Sequence, residues 1–191
     1  SYWLSNAGAP YRQLSPVLGA WGTARTLRTR SGLVELARRF DGSDGLGGTK
    51  VDAAKAAQMA FANKSLAAEL VLGPVRALCA GKAEVAAACT ALNLWDGRYD
   101  VDSRGAHVFA AFWPLASRIG GLWHVPFDPA DPVHTPRDLV TTGEVGAKLL
   151  KALADTQAKL LKDGLKLDAR WGEVHFAVRG TERIAAHGGD G

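Results

Sequence analysis

Ser1 is the first residue of this chain whose type and position could carry out chemistry. A serine at a free amino terminus brings its own base, because an α-amine with a pKa of about 8 can take the hydroxyl proton as the oxygen attacks an amide carbonyl. Such a site also needs oxyanion donors and a sheet to hold the terminus. The five histidines, His107, His124, His134, His175 and His187, are scattered and form no HExxH or other ligand spacing, so no metal site is expected. The stretch "WDGRYDVDSRGAH" groups Asp96, Asp100 and Asp102 with Arg98 and Arg104. Alternating carboxylates suit calcium, but the DxDxDG pattern with its distal Glu is missing. The cluster reads as a salt-bridged helix junction with Asp102 as a cap. There is no GxSxG elbow.

Arginines form a second cluster: Arg25, Arg28 and Arg30, then Arg38 and Arg39. Arg25 and Arg28 share a helical face, while Arg30 points elsewhere. With a net charge of +4 and a pI near 9.2, the chain lacks the concentrated basic face of a dedicated nucleic-acid binder. The arginines read as a solvated helix face with one or two functional members. Cys79 and Cys89 are the only cysteines. They fit neither a tetrahedral zinc set nor a CxxC redox pair. They could close a hairpin between helices, a bridge worth roughly 2.5–3 kcal/mol in the loop-entropy model, or lie as two small buried thiols.

The elements that must position these residues are mostly helices. With 191 residues, 47% hydrophobic and 22% charged, the chain has ordinary globular composition and room for one domain. No apolar run approaches 18 residues. Residues 1–22 are broken by Pro10, Pro16 and Gly19. A helix follows from Thr23 with a loose stripe of Leu27, Leu33, Val34, Ala37 and Phe40, stopped by Gly42. "DGSDGLGGTK" is a loop that matches no phosphate-cradling pattern and follows a helix instead of a strand. Further helices are predicted over 51–62, 65–79, 82–97 and 103–117, the last capped by Asp102 or Ser103 and disturbed by Pro114. Four prolines within 126–136 mark an extended connection. The clearest helix has Thr141 and Glu144 at capping-box spacing, a core face of Leu149, Leu150, Leu153, Leu160 and Leu161, and Gly164 as its end. Trp171, Val174, Phe176 and Val178 then alternate like a strand, and "TERIAAHGGDG" is placed to pair with it. A lone hairpin is marginal and needs partners.

Several stretches in order carry a resemblance: "SYWLSN…P", "TARTLRTRSGL", "VRALC…AACTALNLWDGRYDVDSRGAHVF", "DPVHTPRDL" and "LDARWGEVHFAVRGTERIAAHGGDG". Together they resemble the middle-to-late β chain of penicillin-acylase-type N-terminal nucleophile hydrolases, in the aculeacin A acylase and acyl-homoserine lactone acylase branch. The similarity runs over nearly the whole chain.

The resemblance implies that Ser1 is not the nucleophile. The family's catalytic Ser is followed by an Asn-containing stretch and an "NPH", and that pattern does not follow Ser1. Ser1 instead matches the last residue of a family "Asn-Asp-Ser", which puts the oxyanion Asn two residues before it. No catalytic residue is then expected within the segment. Tyr2, Trp3 and Asn6 would set the path next to that Asn. Arg25 would sit near the substrate, with Arg28 as the alternative. Cys79 and Cys89 would be disulfide-bonded, as in relatives, which in turn implies a periplasmic or secreted location. No cofactor, metal, nucleic acid or membrane span is implied, and no carboxylate set matches the structural calcium of some penicillin acylases. The implied fold is a four-layer αββα core, with 1–22 as an irregular entry beside the active site, 23–165 as an inserted helical lobe and 166–191 as strand returning to the core sheet. The implied partners are the remainder of the β chain, the α chain of a processed heterodimer and an acylated small molecule. Both ends would be boundaries inside a longer chain. Composition alone would also allow a non-catalytic helical interaction module.

Overall fold

A computed structural model describes Val17 and residues 23–189. Mainly helical, it has seven α-helices among the described residues: α1 (Leu27–Asp41), α2 (Ala53–Ala60), α3 (Leu66–Leu78), α4 (Ala86–Leu94), α5 (Ala106–Ala116), α6 (Gly143–Lys162) and α7 (Trp171–Val174). Strand β1 (Trp123–Val125) pairs with β2 (Arg137–Leu139), and β3 (Phe176–Arg179) pairs with β4 (Glu182–Ala185). The chain divides into two compact units. One holds the described residues up to Phe61 with Trp123–Asp138; the other holds Ala62–Leu122 with the described residues from Leu139.

The second unit is built on apolar helix faces. α5 lies against α4 and α6, and α3 against α4. Val71, Val85, Leu92, Phe109, Phe112, Leu149 and Leu153 are buried there, each such side chain contributing about 1.5–3 kcal/mol by leaving water. Aromatic contacts extend this core: Trp95 meets Phe109 at 4.7 Å and Tyr99 at 5.3 Å, and Tyr99 meets Trp171 at 5.0 Å. Short α4 has no cap of its own, and its neighbours complete it. Gln157 of α6 accepts from the Ala88 N–H at 2.9 Å. Arg76 of α3 donates to the Leu92 and Trp95 carbonyls at 2.8 and 2.6 Å. Both ends of α4 thereby satisfy groups that a helix terminus leaves open. The Cys79–Cys89 disulfide ties α4 to the end of α3, as the resemblance implies.

Several expectations need correction here. α5 begins from Gly105 at φ 77°, not from Asp102 or Ser103. A Cβ on Gly105 would lie 2.2 Å from the Ala91 carbonyl oxygen, so only glycine permits this approach of α5 to α4. Ser103 turns to Asp96 at 3.0 Å instead. Thr141 and Glu144 form no capping box: Thr142 is the cap residue, without a side-chain bond, and Glu144 reaches forward to Lys148 at 2.6 Å. Leu161 faces solvent. The expected strand from Trp171 starts only at Phe176, because the Trp171 and Gly172 amides bond the distant Ser103 and Val101 carbonyls and bend 171–174 into a helical turn. The pairing of this strand with the following segment is as read, antiparallel with Phe176 opposite Ala185. The two three-residue strands β1 and β2 are too short to show a period.

The first unit has a different interior. Its α1 is capped by Thr26, whose hydroxyl accepts from the Thr29 N–H at 3.2 Å. The face it buries carries Arg30 and Arg39, while Phe40, counted in the apolar stripe, is exposed. Arg39 is wrapped by the loop that follows. Its Nη1 lies 2.9 Å from Asp44 Oδ2, and Nη2 donates to the Gly47 and Gly48 carbonyls. The glycine-rich loop is therefore a backbone cage around a guanidinium.

Candidate functional site

The arginine cluster at the start of α1 is the part of the expected site that the structure describes. Ser1, Tyr2, Trp3 and Asn6 lie outside the described residues. Arg25 precedes the Thr26 cap and is half-buried, and burial pushes its guanidinium below the usual arginine range. Arg28, in the first turn, is exposed. Arg30 points elsewhere, as the helical spacing predicts, but it goes inward. Only 2% exposed, it donates from Nε to the Val133 carbonyl at 2.8 Å and from Nη1 to the Pro136 carbonyl at 2.9 Å. Burial lowers its pKa and the Asp131 carboxylate raises it.

Arg30 thus pins the proline-rich connection. Thr135 closes the same turn, donating to the Asp131 carbonyl at 2.6 Å and accepting from the Asp128 N–H at 2.8 Å. His134 Nδ1 meets Asp131 Oδ1 at 2.7 Å. A histidine held by a carboxylate is half of a hydrolytic triad. Here, however, both side chains are exposed and the nearby Thr135 hydroxyl is committed to backbone. The pair therefore fastens the turn. Sequence reasoning missed Arg30 and Arg39, although two features pointed to them: a loop rich in glycine carbonyls directly follows Arg39, and the proline segment leaves carbonyls that no local amide can meet.

The expected salt-bridged junction at 95–107 is mostly bound to backbone. Arg98 donates to the Ala62 carbonyl at 2.7 Å and Arg104 to the Asp168 carbonyl at 2.7 Å. Asp102 pairs with Arg170 at 3.3 Å, and Asp100 accepts from Asn63 at 2.7 Å. Among the described residues no three His, Cys, Asp or Glu side chains come together as metal ligands. No helix among them is long and apolar enough to cross a membrane. These residues bring together guanidiniums that hold backbone, and the Ser103 hydroxyl donates to a carboxylate, Asp96 at 3.0 Å, not to a histidine.

The Penicillin amidase family model matches residues 5–191. The chain belongs to the penicillin amidase family. Among family members it is 36% identical over 201 residues to aculeacin-A acylase of Actinoplanes utahensis, covering 100% of this chain and 25% of that protein. It is 32% identical over 196 residues to the acyl-homoserine lactone acylase PvdQ of Pseudomonas syringae pv. tomato, covering 99% and 25%. With PvdQ of Pseudomonas putida the identity is 31% over 182 residues, covering 94% and 22%. The chain therefore spans about a quarter of the length of these family members.

Proposed function

We propose that this chain is a β-chain segment of a secreted or periplasmic acylase that hydrolyses the amide of an acylated amine. The observation that carries the reading is the family match over residues 5–191, with acylases as the similar proteins. A long-chain acyl-homoserine lactone or a lipopeptide side chain fits those relatives better than a penicillin. The Cys79–Cys89 disulfide supports an oxidising compartment.

In the proposed reaction, the hydroxyl of a terminal Ser outside this segment attacks the amide carbonyl, and its α-amine takes the proton and delivers it to the leaving amine. The C–N bond breaks and an acyl ester remains on Ser. Water, activated by the same amine, then releases the carboxylic acid and frees the Ser hydroxyl. The oxyanion is held by an Asn two residues before Ser1, a donor worth about 3 kcal/mol in the transition state. Arg25 lies beside substrate, and Tyr2, Trp3 and Asn6 set the path next to that Asn. The helical residues form the inserted lobe, and 166–191 joins the core sheet of the four-layer αββα fold. The remainder of the β chain and an α chain complete the enzyme.

The experiment is turnover of a long-chain acyl-homoserine lactone, read as released lactone amine. The full-length processed protein is expected to be active and the 191-residue chain alone inactive. Turnover by the 191-residue chain alone would overturn the placement of the nucleophile.

A further inference from the structure

We propose that His187, Gly188 and Gly189 form a strap that holds the β3–β4 hairpin on the helical unit, in a seat that admits only glycine. The hairpin has little to hold it by itself. All four residues of β4 are exposed, and in β3 only Phe176 is partly covered. A two-stranded hairpin of this kind is marginal in water.

Immediately after β4 the chain docks. The Gly188 N–H donates to the Tyr99 carbonyl at 2.8 Å, and the Gly188 carbonyl accepts from Trp171 Nε1 at 2.8 Å. The Tyr99 N–H in turn donates to the Asn63 carbonyl at 2.8 Å, so 63, 99 and 188 form three adjoining lines of backbone. Gly188 sits at φ 82°, where a side chain is strained. Gly189 lies flat on the Tyr99 ring: a Cβ there would fall 2.9–3.1 Å from three ring carbons. The ring cannot recede, because Tyr99 is 8% exposed and lies between Trp95 and Trp171. Asn63 completes the seat from the side, with Nδ2 at 2.7 Å from Asp100 and 3.4 Å from His187 Nδ1. A second hold, Gly172 between Val101 and Ala185, fixes the base of the hairpin but not its exit.

The strap therefore decides whether residues 176–189 open as one unit while α3–α6 stay closed, the behaviour of a local folding unit. The test is amide hydrogen exchange on the full-length protein. Gly189→Ala is expected to speed exchange of the Gly188 amide roughly tenfold or more, to speed 176–186 with it, and to leave α6 unchanged. In a Tyr99→Leu background the same substitution should have little further effect, since the ring atoms it strikes are gone. Trp171→Phe tests the strap without adding an atom: it removes the donor to the Gly188 carbonyl, together with part of the ring that meets Tyr99 and His175, and should release 186–189. Unchanged Gly188 exchange in both Gly189→Ala and Trp171→Phe, or an equal effect of Gly189→Ala in both Tyr99 backgrounds, would overturn the proposal.

Discussion

The two units of this chain solve the problem of an interior in opposite ways. From Ala62 to Leu122 and from Leu139 onward, interiors are made of Val, Leu, Phe and Trp side chains on helix faces. In the other unit the buried residues among the described ones are Arg30, Arg39, Pro132 and Thr135, and Phe40, Val51 and Phe61 stand exposed. Apolar burial is non-directional and tolerates small shifts. A buried guanidinium is held by bonds of fixed direction and becomes a liability once one partner is lost. The first unit should therefore be ordered but brittle, and the second robust.

The contrast can be broken most forcefully from the apolar side. Phe109→Ala, at 1% exposure among Trp95, Phe112 and Trp113, should cost about 3–5 kcal/mol. Denaturant unfolding followed by tryptophan fluorescence should show it as a lower midpoint for the second unit. Arg39→Met should cost about 3 kcal/mol, because it leaves the Asp44 carboxylate, 2% exposed, without its partner. Hydrogen exchange should place that loss in 38–50 and spare α4–α6. A melt of α4–α6 in the Arg39 variant would show that the contrast is false. Gln157→Leu is a smaller test, about 1–2 kcal/mol, since it strands the Ala88 N–H in the core. Its effect should appear at the start of α4.

The finest distinction is a pH effect within the robust unit. His107 donates from Nε2 to the Lys166 carbonyl at 3.0 Å, and its buried Nδ1 meets no hydrogen-bond partner among the described residues. Burial is the main influence and lowers its pKa, against the Lys166 bond and the Asp168 and Glu173 charges, which raise it. The unfolded chain then binds the proton more readily. Stability should be full above the ordinary histidine pKa of about 6.5 and decline as pH falls through it toward the lowered folded value. His107→Gln should flatten that slope in thermal melts between pH 7.5 and 5.

How much of this was legible in the sequence follows the same division. Where apolar periodicity builds the interior, the reading was close: α3, α6 and the Gly164 stop lie within a residue or two of their expected places. Leu161 was misassigned because it borders the buried stripe and the sequence does not show where that stripe ends. Where long-range hydrogen bonds build the structure, the reading failed. The Gly105 start of α5 depends on the Ala91 carbonyl, and the turn at Trp171 depends on Ser103 and Val101. Arg30 and Arg39 have the same charge as the solvated arginines beside them, and only the distant carbonyls of Val133 and Pro136 and the loop after Arg39 set them apart. The family was visible in the order of its motifs. Of the candidate site, Arg25 is described as half-buried, while the residues before position 17 lie outside the description.

The central claim is that catalysis in the proposed parent acylase uses a nucleophile outside these residues. The most direct measurement is mass spectrometric mapping of the acyl adduct trapped when the full-length processed protein meets a slowly hydrolysed long-chain acyl amide. The account predicts a single ester on a terminal Ser that lies outside the 191 residues. An adduct on Ser1, or on any other residue of this chain, would contradict it.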